Sequence, residues 1–538
     1  MIPAREHWLR RTRHSPKLIV LAVGLTAATG PALAQDGRAF TITPTFSISE
    51  SLTDNRNLSS ANKEAEATTQ ISPGIRISSR SGRVQGSLDY SLNALLYARD
   101  SSRSTTQNAL AASFAANLVD NHASLDVRSS ISQQSISAFG VQSSNPGVFN
   151  PNRTEVRTLS VSPSLRGKLG DVADLDARLT WATTSNGSST IGSSTNTSMA
   201  LRASGGRGPF GWSADTSGST SDFDAGRKTQ QRQSGLSLNY RLDVQWRANL
   251  RATHETNDVL STTTQSRNSW SAGLEWTPNP DLRAGLRLIR DSDNSALSQQ
   301  GSRQSWGGDL NWTPFERTQL SFRRDRQFFG TSQSFTFQHR MPRSVFSFSD
   351  TRDISTNATG STGSGVLSGY DQLFAQYAVA VPDPIQRDLF VRALLGNPQG
   401  FLTNAVSLRH GQTATVLLQG QLTNISLSTF RNDSRRLDAV STAGDDLSRA
   451  GNVRQSGHSV TVSYRLASST GVNFGYNRSL TAGSGTLPGN SQRSFTLSSS
   501  TQLANRASVN LSLRHTSFDS AVQPYTENGA TASLNLQF

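Results

Sequence analysis

Cysteine does not occur in this 538-residue sequence, which excludes a disulfide framework and any cysteine-ligated zinc or iron–sulfur site. Lysine is almost missing as well. It stands only at 17, 63, 168 and 228, so arginine carries the positive charge. Beyond residue 34 no apolar stretch approaches the ~18 residues that a membrane-crossing helix requires. No H-E-x-x-H, G-x-S-x-G, Walker or G-x-G-x-x-G pattern appears, and the histidines at 122, 254, 339, 410, 458 and 515 stand singly. Neither a cofactor nor a metal is therefore expected, and the chain reads as a non-enzyme; a catalytic site assembled from separate loops is the remaining enzymatic alternative. Hydrophobic residues make up 34% and charged residues 17%, and the excess of Ser, Thr, Asn, Gln and Gly suits neither a helical enzyme nor a helical membrane protein.

The first residues read as an address. Arg5, Arg10, Arg11, Arg13 and Lys17 precede the apolar run Leu18–Leu25, and small residues follow up to Ala32-Leu33-Ala34 before Gln35. This pattern predicts a Sec-type signal peptide over 1–34, cleaved between Ala34 and Gln35, with one mature domain over 35–538. Its removal takes away five cations and one anion, Glu6, lowering the formal charge from +14 to about +10. The remaining cations are dispersed without a compact patch, so no nucleic-acid partner is expected.

What the mature sequence does contain is alternation. Val84, Gly86, Leu88, Tyr90, Leu92, Ala94 and Leu96 interleave with Gln85, Ser87, Asp89, Ser91 and Asn93. Similar rows run through Trp246–Ala252, Leu282–Leu288 and Ala507–Leu513. Such segments exceed the usual strand of ~5–6 residues in soluble proteins. In lipid every backbone polar group must be paired internally, so alternating strands can span a membrane only as a closed barrel. Short turn-forming links such as Ser79–Gly82, Val119–Asn121 and Thr277–Asp281 alternate with longer polar loops at 53–66, 132–153, 184–195 and 433–453. The pattern predicts an all-β, transmembrane, antiparallel up-and-down barrel of about 24 strands (22–26), the first near 39–51 and the last at 527–538, with both ends periplasmic. The lipid bilayer and its lipopolysaccharide follow as surroundings, in the outer membrane of a Gram-negative bacterium.

Two hairpins repeat: "GLEWTPNPDLRAGLRL" (273–288) aligns with "DLNWTPFERTQLSFRR" (309–324), and "SLNYRLDVQWRANLRA" (237–252) resembles "TVSYRLASSTGVNFGY" (461–476). The aromatics before each turn, Tyr240, Trp276, Trp312 and Tyr464, have the parity of the apolar row and are assigned to the periplasmic interface girdle. The wet rows carry Arg128, Arg178, Arg202, Arg247, Arg251, Arg283, Arg287, Arg323, Arg465 and Arg514. Lining a lumen, they either favour anionic solutes or polymers, or pair with inward acids and brace the wall.

The rhythm breaks at 355–410. There Asp383 is placed to cap a helix, Pro384 to open it and Gly396 to end it, a short helical insert in an outer loop. It reads equally as a lumen constriction, an outer cap or a loop without a role. At the other extreme "ATASLNLQF" (530–538) alternates up to its last residue. Ala530, Ala532, Leu534, Leu536 and Phe538 share one face, so this is expected to be the closing strand, with Leu534, Leu536 and Phe538 as the signal that barrel-assembly machinery reads.

"FSISESLTDNRNL" (46–58), "ISPGIRIS" (71–78), "LDYSLNALLYAR" (88–99), the "WTP" hairpins, "PDPIQRDLFVRALL" (382–395) and the terminal phenylalanine resemble the PEP-CTERM system-associated outer-membrane proteins. The resemblance covers most of the mature chain, and its motifs are structural rather than catalytic. It implies a β-barrel found with exopolysaccharide and exosortase loci, and exopolysaccharide with its periplasmic export components as partners. The expectation is a porin-like conduit; the alternative is a surface barrel that only retains secreted polymer.

Overall fold

The structure, a computed structural model, describes residues 40–538 except 146, 189–190, 225–227, 259–264, 294–300, 328, 356–400, 404 and 439–443. The expected signal peptide, its cleavage residues Ala32, Ala34 and Gln35, and the expected helix at 383–396 lie outside the described residues.

Twenty-four antiparallel strands form one sheet. The first eight are β1 (Phe40–Thr53), β2 (Glu66–Arg80), β3 (Val84–Tyr97), β4 (Thr105–Val119), β5 (Ala123–Ser135), β6 (Arg153–Leu169), β7 (Ala173–Asn186) and β8 (Ser194–Arg207). β9 (Phe210–Phe223), β10 (Lys228–Arg241), β11 (Trp246–Asn257), β12 (Gln265–Asn279), β13 (Leu282–Asp293), β14 (Gly301–Phe315), β15 (Thr318–Gln327) and β16 (Gly330–Met341) follow. The ring is completed by β17 (Ser344–Ser355), β18 (Ser407–Gln419), β19 (Thr423–Arg436), β20 (Asn452–Arg465), β21 (Thr470–Thr481), β22 (Asn490–Ala504), β23 (Ala507–Ser520) and β24 (Tyr525–Gln537). Each pairs with its sequence neighbours, and β1 pairs with β24 from Thr45↔Gln537 to Thr53↔Gly529. The sheet therefore has no free edge, which satisfies every ladder within the protein. Among the described residues, helix is confined to a 3-10 turn at Ser101–Arg103 and to α1, Asp446–Ala450.

Turn chemistry fixes the short end. Asn121 (φ 62°) and Gly208 (φ 64°) take left-handed conformations in their links, which Asn and Gly tolerate best. In the two "WTP" hairpins the register slips between Trp276 and Asn279 and between Trp312 and Phe315. The prolines between them, Pro278 and Pro314, cannot donate to a ladder, so pairing pauses there.

Parity sorts the side chains. Leu238↔Leu250, Leu250↔Ala272 and Ala272↔Leu288 continue one outward row across β10–β13. Trp270 is 68% exposed and Leu288 70%. Apolar exposure repeated around a closed ring is unfavourable against water and favourable against hydrocarbon, which makes this a membrane-spanning surface. The buried apolar core lies elsewhere, at the end of the barrel where the long loops meet. Ala138, Phe401, Ala405, Leu447 and Val453 form one cluster, Leu58, Val148, Phe518 and Tyr525 a second, and Val156, Ile191 and Leu402 a third.

Candidate functional site: lumen and mouth

The inward rows carry charge in pairs. Arg178 bonds Asp126 at 2.9 Å, Arg251 bonds Asp215 at 2.9 Å, and Glu275 is shared by Arg247 (3.2 Å) and Arg283 (2.6 Å). Arg287 bridges Asp309 and Asp325, both at 2.7 Å, and Arg323 closes on Asp325 at 2.7 Å. Arg514 approaches the buried Glu527 at 4.0 Å. Seven of the ten arginines expected to line the lumen are thus within ion-pair distance of a carboxylate. Arg202 stands in register between Asp176 and Asp215, and Arg465 lies at the short-turn end of β20; neither forms an ion pair among the described residues. Arg128 lies inward beside Ser160 of the neighbouring strand. The contacts brace the wall across adjacent strands, and much of the arginine charge is neutralised where it stands.

The four aromatics expected at the interface sit beside the short turns. Tyr240 packs on Phe210 with ring centroids 4.7 Å apart, and Trp276 on Trp246 at 6.0 Å. Trp312 opposes Leu282 and Leu320, and Tyr464 opposes Thr423 and Val472. In the closing strand Leu534 opposes Ile48 and Leu536 opposes Phe46, while the Phe538 amide donates to Pro44 O at 3.0 Å.

The mouth differs from the open polar loops that the alternation implies. Residues 136–145 and 147–152, part of the segment 132–153 expected only as a long polar loop, are folded onto the barrel interior. Buried loops need their backbone groups satisfied, and here short polar side chains do it. Asn145 Oδ1 accepts from Gly147 N (3.0 Å), Asn152 Oδ1 from Ser137 N (2.9 Å), and Asn150 Oδ1 from Asn152 N (2.9 Å). Asn152 Nδ2 donates back to Ser137 O and Val141 O.

This loop then ties to walls far from its own strands. Asn145 Nδ2 donates to Glu527 Oε1 at 2.7 Å, and Ser144 and Thr516 hydroxyls meet at 2.8 Å. Thr68 Oγ1 donates to Gly147 O (3.3 Å), Asn490 Nδ2 to Ala138 O (2.9 Å), and the Tyr525 hydroxyl to Gln142 O. Ser137 Oγ and Ala138 N both donate to Asp446, at 2.7 and 2.6 Å. Residues 401–403 and 405–406, just ahead of β18, complete the bridge. Phe401 pairs with Ser135 at the end of β5, and Leu402 N donates to Ile136 O at 3.2 Å. The ring order puts β5 and β18 on nearly opposite walls, so chain from both sides meets across the mouth.

α1 serves as the dock. Asp445 caps it by accepting from Ser448 N at 2.7 Å, and Thr403 Oγ1 also donates to Asp445. Asp446, buried in the first turn, has its carboxyl pushed above the ordinary range by burial, against the opposing pull of the bonds from Ser137 and Ala138.

One signal in the sequence marked the mouth. Leu95, Tyr97, Val156, Val453, Phe518 and Tyr525 are apolar or aromatic residues on the inward parity, all near the long-loop ends of their strands, and all are buried. Apolar residues on a wet row need something to cover them. Part of the expected insert, 401–406, is among the covering residues, and β18 begins at Ser407 rather than at 411 as the alternation suggested.

The chain is therefore a closed, membrane-spanning β-barrel with a polar, ion-paired lumen and a mouth crossed by its own loops. No family model matches the chain, and no curated protein sequence does. Among solved structures it is similar to the FrpB iron transporter of Neisseria meningitidis in its apoprotein form, at 11% identity over 92% of this chain and 81% of that one, with a TM-score of 0.42. The siderophore receptor PirA of Pseudomonas aeruginosa shares 9% identity over 92% and 80%, TM-score 0.38, and PirA of Acinetobacter baumannii 10% over 93% and 81%, TM-score 0.38. At these values no cargo or mechanism is carried over from them.

Proposed function

We propose that this protein is an outer-membrane conduit of a Gram-negative envelope, serving an exopolysaccharide pathway and closed at rest by residues 136–152 and 401–406. The observation that carries the reading is the construction of the mouth. A barrel of this width leaves a lumen, and here it is crossed by a strap held through hydrogen bonds to several separate walls. These bonds exchange for bonds to water, and the strap's apolar contacts lie in the small clusters around Ala138, Val148 and Leu402, so the strap can undock while the sheet stays paired. The resemblance of 46–58, 71–78, 88–99 and 382–395 to the PEP-CTERM system-associated proteins supports the polymer assignment, and Arg202 and Arg465, which form no ion pair among the described residues, supply a modest bias toward anionic polymer or solutes.

The same bonds favour a second reading, in which the mouth stays shut and the barrel anchors secreted polymer at the surface. Deleting the gene separates the two. Polymer accumulating in the periplasm supports export. Normal secretion with loose attachment supports anchoring, and secretion and retention both unchanged would contradict the pathway assignment.

A further inference from the structure

The outward rows change character above the apolar band on one side of the barrel. On β21 and β22, Arg478 and Arg493 are direct cross-strand partners. Both have the outward parity of Phe474↔Leu497 and Tyr476↔Phe495, the next pairs toward the periplasm, and the Tyr476 and Phe495 rings pack 4.9 Å apart. On the other flank Arg478 opposes His458. Neither arginine forms an ion pair among the described residues, and like charges placed directly opposite are destabilising unless an anion lies between them.

A guanidinium one step above an aromatic pair recurs on β15, six strands before β21: Arg324 follows Phe322↔Phe335 on the outward row, its guanidinium lies 4.5 Å from the Trp306 ring, and the same register continues through Gln333 to Arg352. On β1–β3 the corresponding outward positions are Glu50, Thr69 and Leu96, with no cation. An aromatic step with a guanidinium immediately above it matches the boundary between acyl chains and a phosphorylated headgroup, since guanidinium groups grip phosphate in a bidentate manner while the rings sit at the interface.

We propose that Arg478 and Arg493 together bind the phosphate of a phosphorylated glycolipid headgroup in the outer leaflet, with Tyr476 and Phe495 against its sugar–acyl junction. The inference rests on the outer-membrane reading above. It predicts a lipid held at a fixed site on the β21–β22 face.

The test uses the full mature chain refolded into lipid nanodiscs, with folding verified by heat-modifiable migration, and native mass spectrometry to count retained lipid. The probes are bisphosphorylated lipid A, its dephosphorylated form and inorganic pyrophosphate. Wild type should retain bisphosphorylated lipid A, and R478A/R493A should lower its affinity about tenfold or more. Arg454→Ala, at a cation already engaged by Asp433 at 2.6 Å, should leave it unchanged. A folded double variant that retains lipid A like wild type overturns the proposal, as does equal retention of the dephosphorylated lipid. Pyrophosphate displacing lipid A at equal affinity would make this a free-phosphate site and overturn the lipid assignment. A chain that enters no bilayer overturns the membrane reading and the proposal with it, whereas one that inserts without discriminating between the lipids overturns the proposal alone.

Discussion

Ala138 N donates to Asp446 Oδ2 at 2.6 Å, joining a loop that leaves β5 to a helix that precedes β20. These strands stand far apart around the ring, and Ser137 Oγ adds a second bond to the same carboxyl at 2.7 Å. One carboxyl thus fastens the strap to the far wall.

Replacing Asp446 with Ala removes both acceptors and leaves the buried Ala138 amide without a partner. A buried donor stranded in this way costs about 1–3 kcal/mol, which lowers the docked-to-undocked ratio roughly five- to 150-fold. The expected result is more frequent opening in planar bilayers with barrel stability nearly unchanged, because the sheet makes no use of this carboxyl. Equal conductance of Asp446→Ala and wild type would show that the strap is fastened elsewhere.

The same carboxyl makes docking pH-dependent. Its pKa is raised in the docked state, so the docked form binds more protons than the undocked form. Its stabilising contribution is fully present below the ordinary value of 3.8 and is lost as pH rises through the raised value. Open probability should climb with pH across that window. Asp446→Asn, which has no proton to exchange, should flatten the profile, and a wild-type profile that falls with rising pH would contradict the sign.

Arg287 is half-buried between Asp309 and Asp325, 2.7 Å from each. Arg287→Ala should shift the reversal potential toward cation preference, since two carboxylates lose a shared counter-charge. It should also cost about 1–3 kcal/mol of stability, read as a lower urea midpoint in refolding. A variant with unchanged selectivity would place this ladder outside the conducting path.

How much of this was readable beforehand depends on the range of the interaction. Trp246↔Trp276 and Leu250↔Ala272 follow from a period of two, and the positions of Asn121 and Gly208 follow from turn chemistry, so strand number and the outward-facing row came from local pattern. The strap did not. Residues 136–152 are polar and irregular, and what folds them is pairing with Thr68, Thr516 and Glu527, which lie far away in sequence. Arginine pairing was likewise undecided, because Arg287 finds Asp325 only once β13, β14 and β15 are aligned. The inward Leu95, Val156 and Phe518 were the available clue, being apolar residues on the wrong face for an open pore.

The most direct test of a conduit closed by its own loop uses the absence of native cysteine. Ser144 and Thr516 hydroxyls lie 2.8 Å apart across the strap–wall contact, within reach of a disulfide in the double variant S144C/T516C. Under oxidising conditions the variant should conduct in planar bilayers at a low, steady level, and adding reductant should restore the openings of wild type. Conductance that is the same before and after reduction, with the disulfide confirmed by mass, would contradict the account.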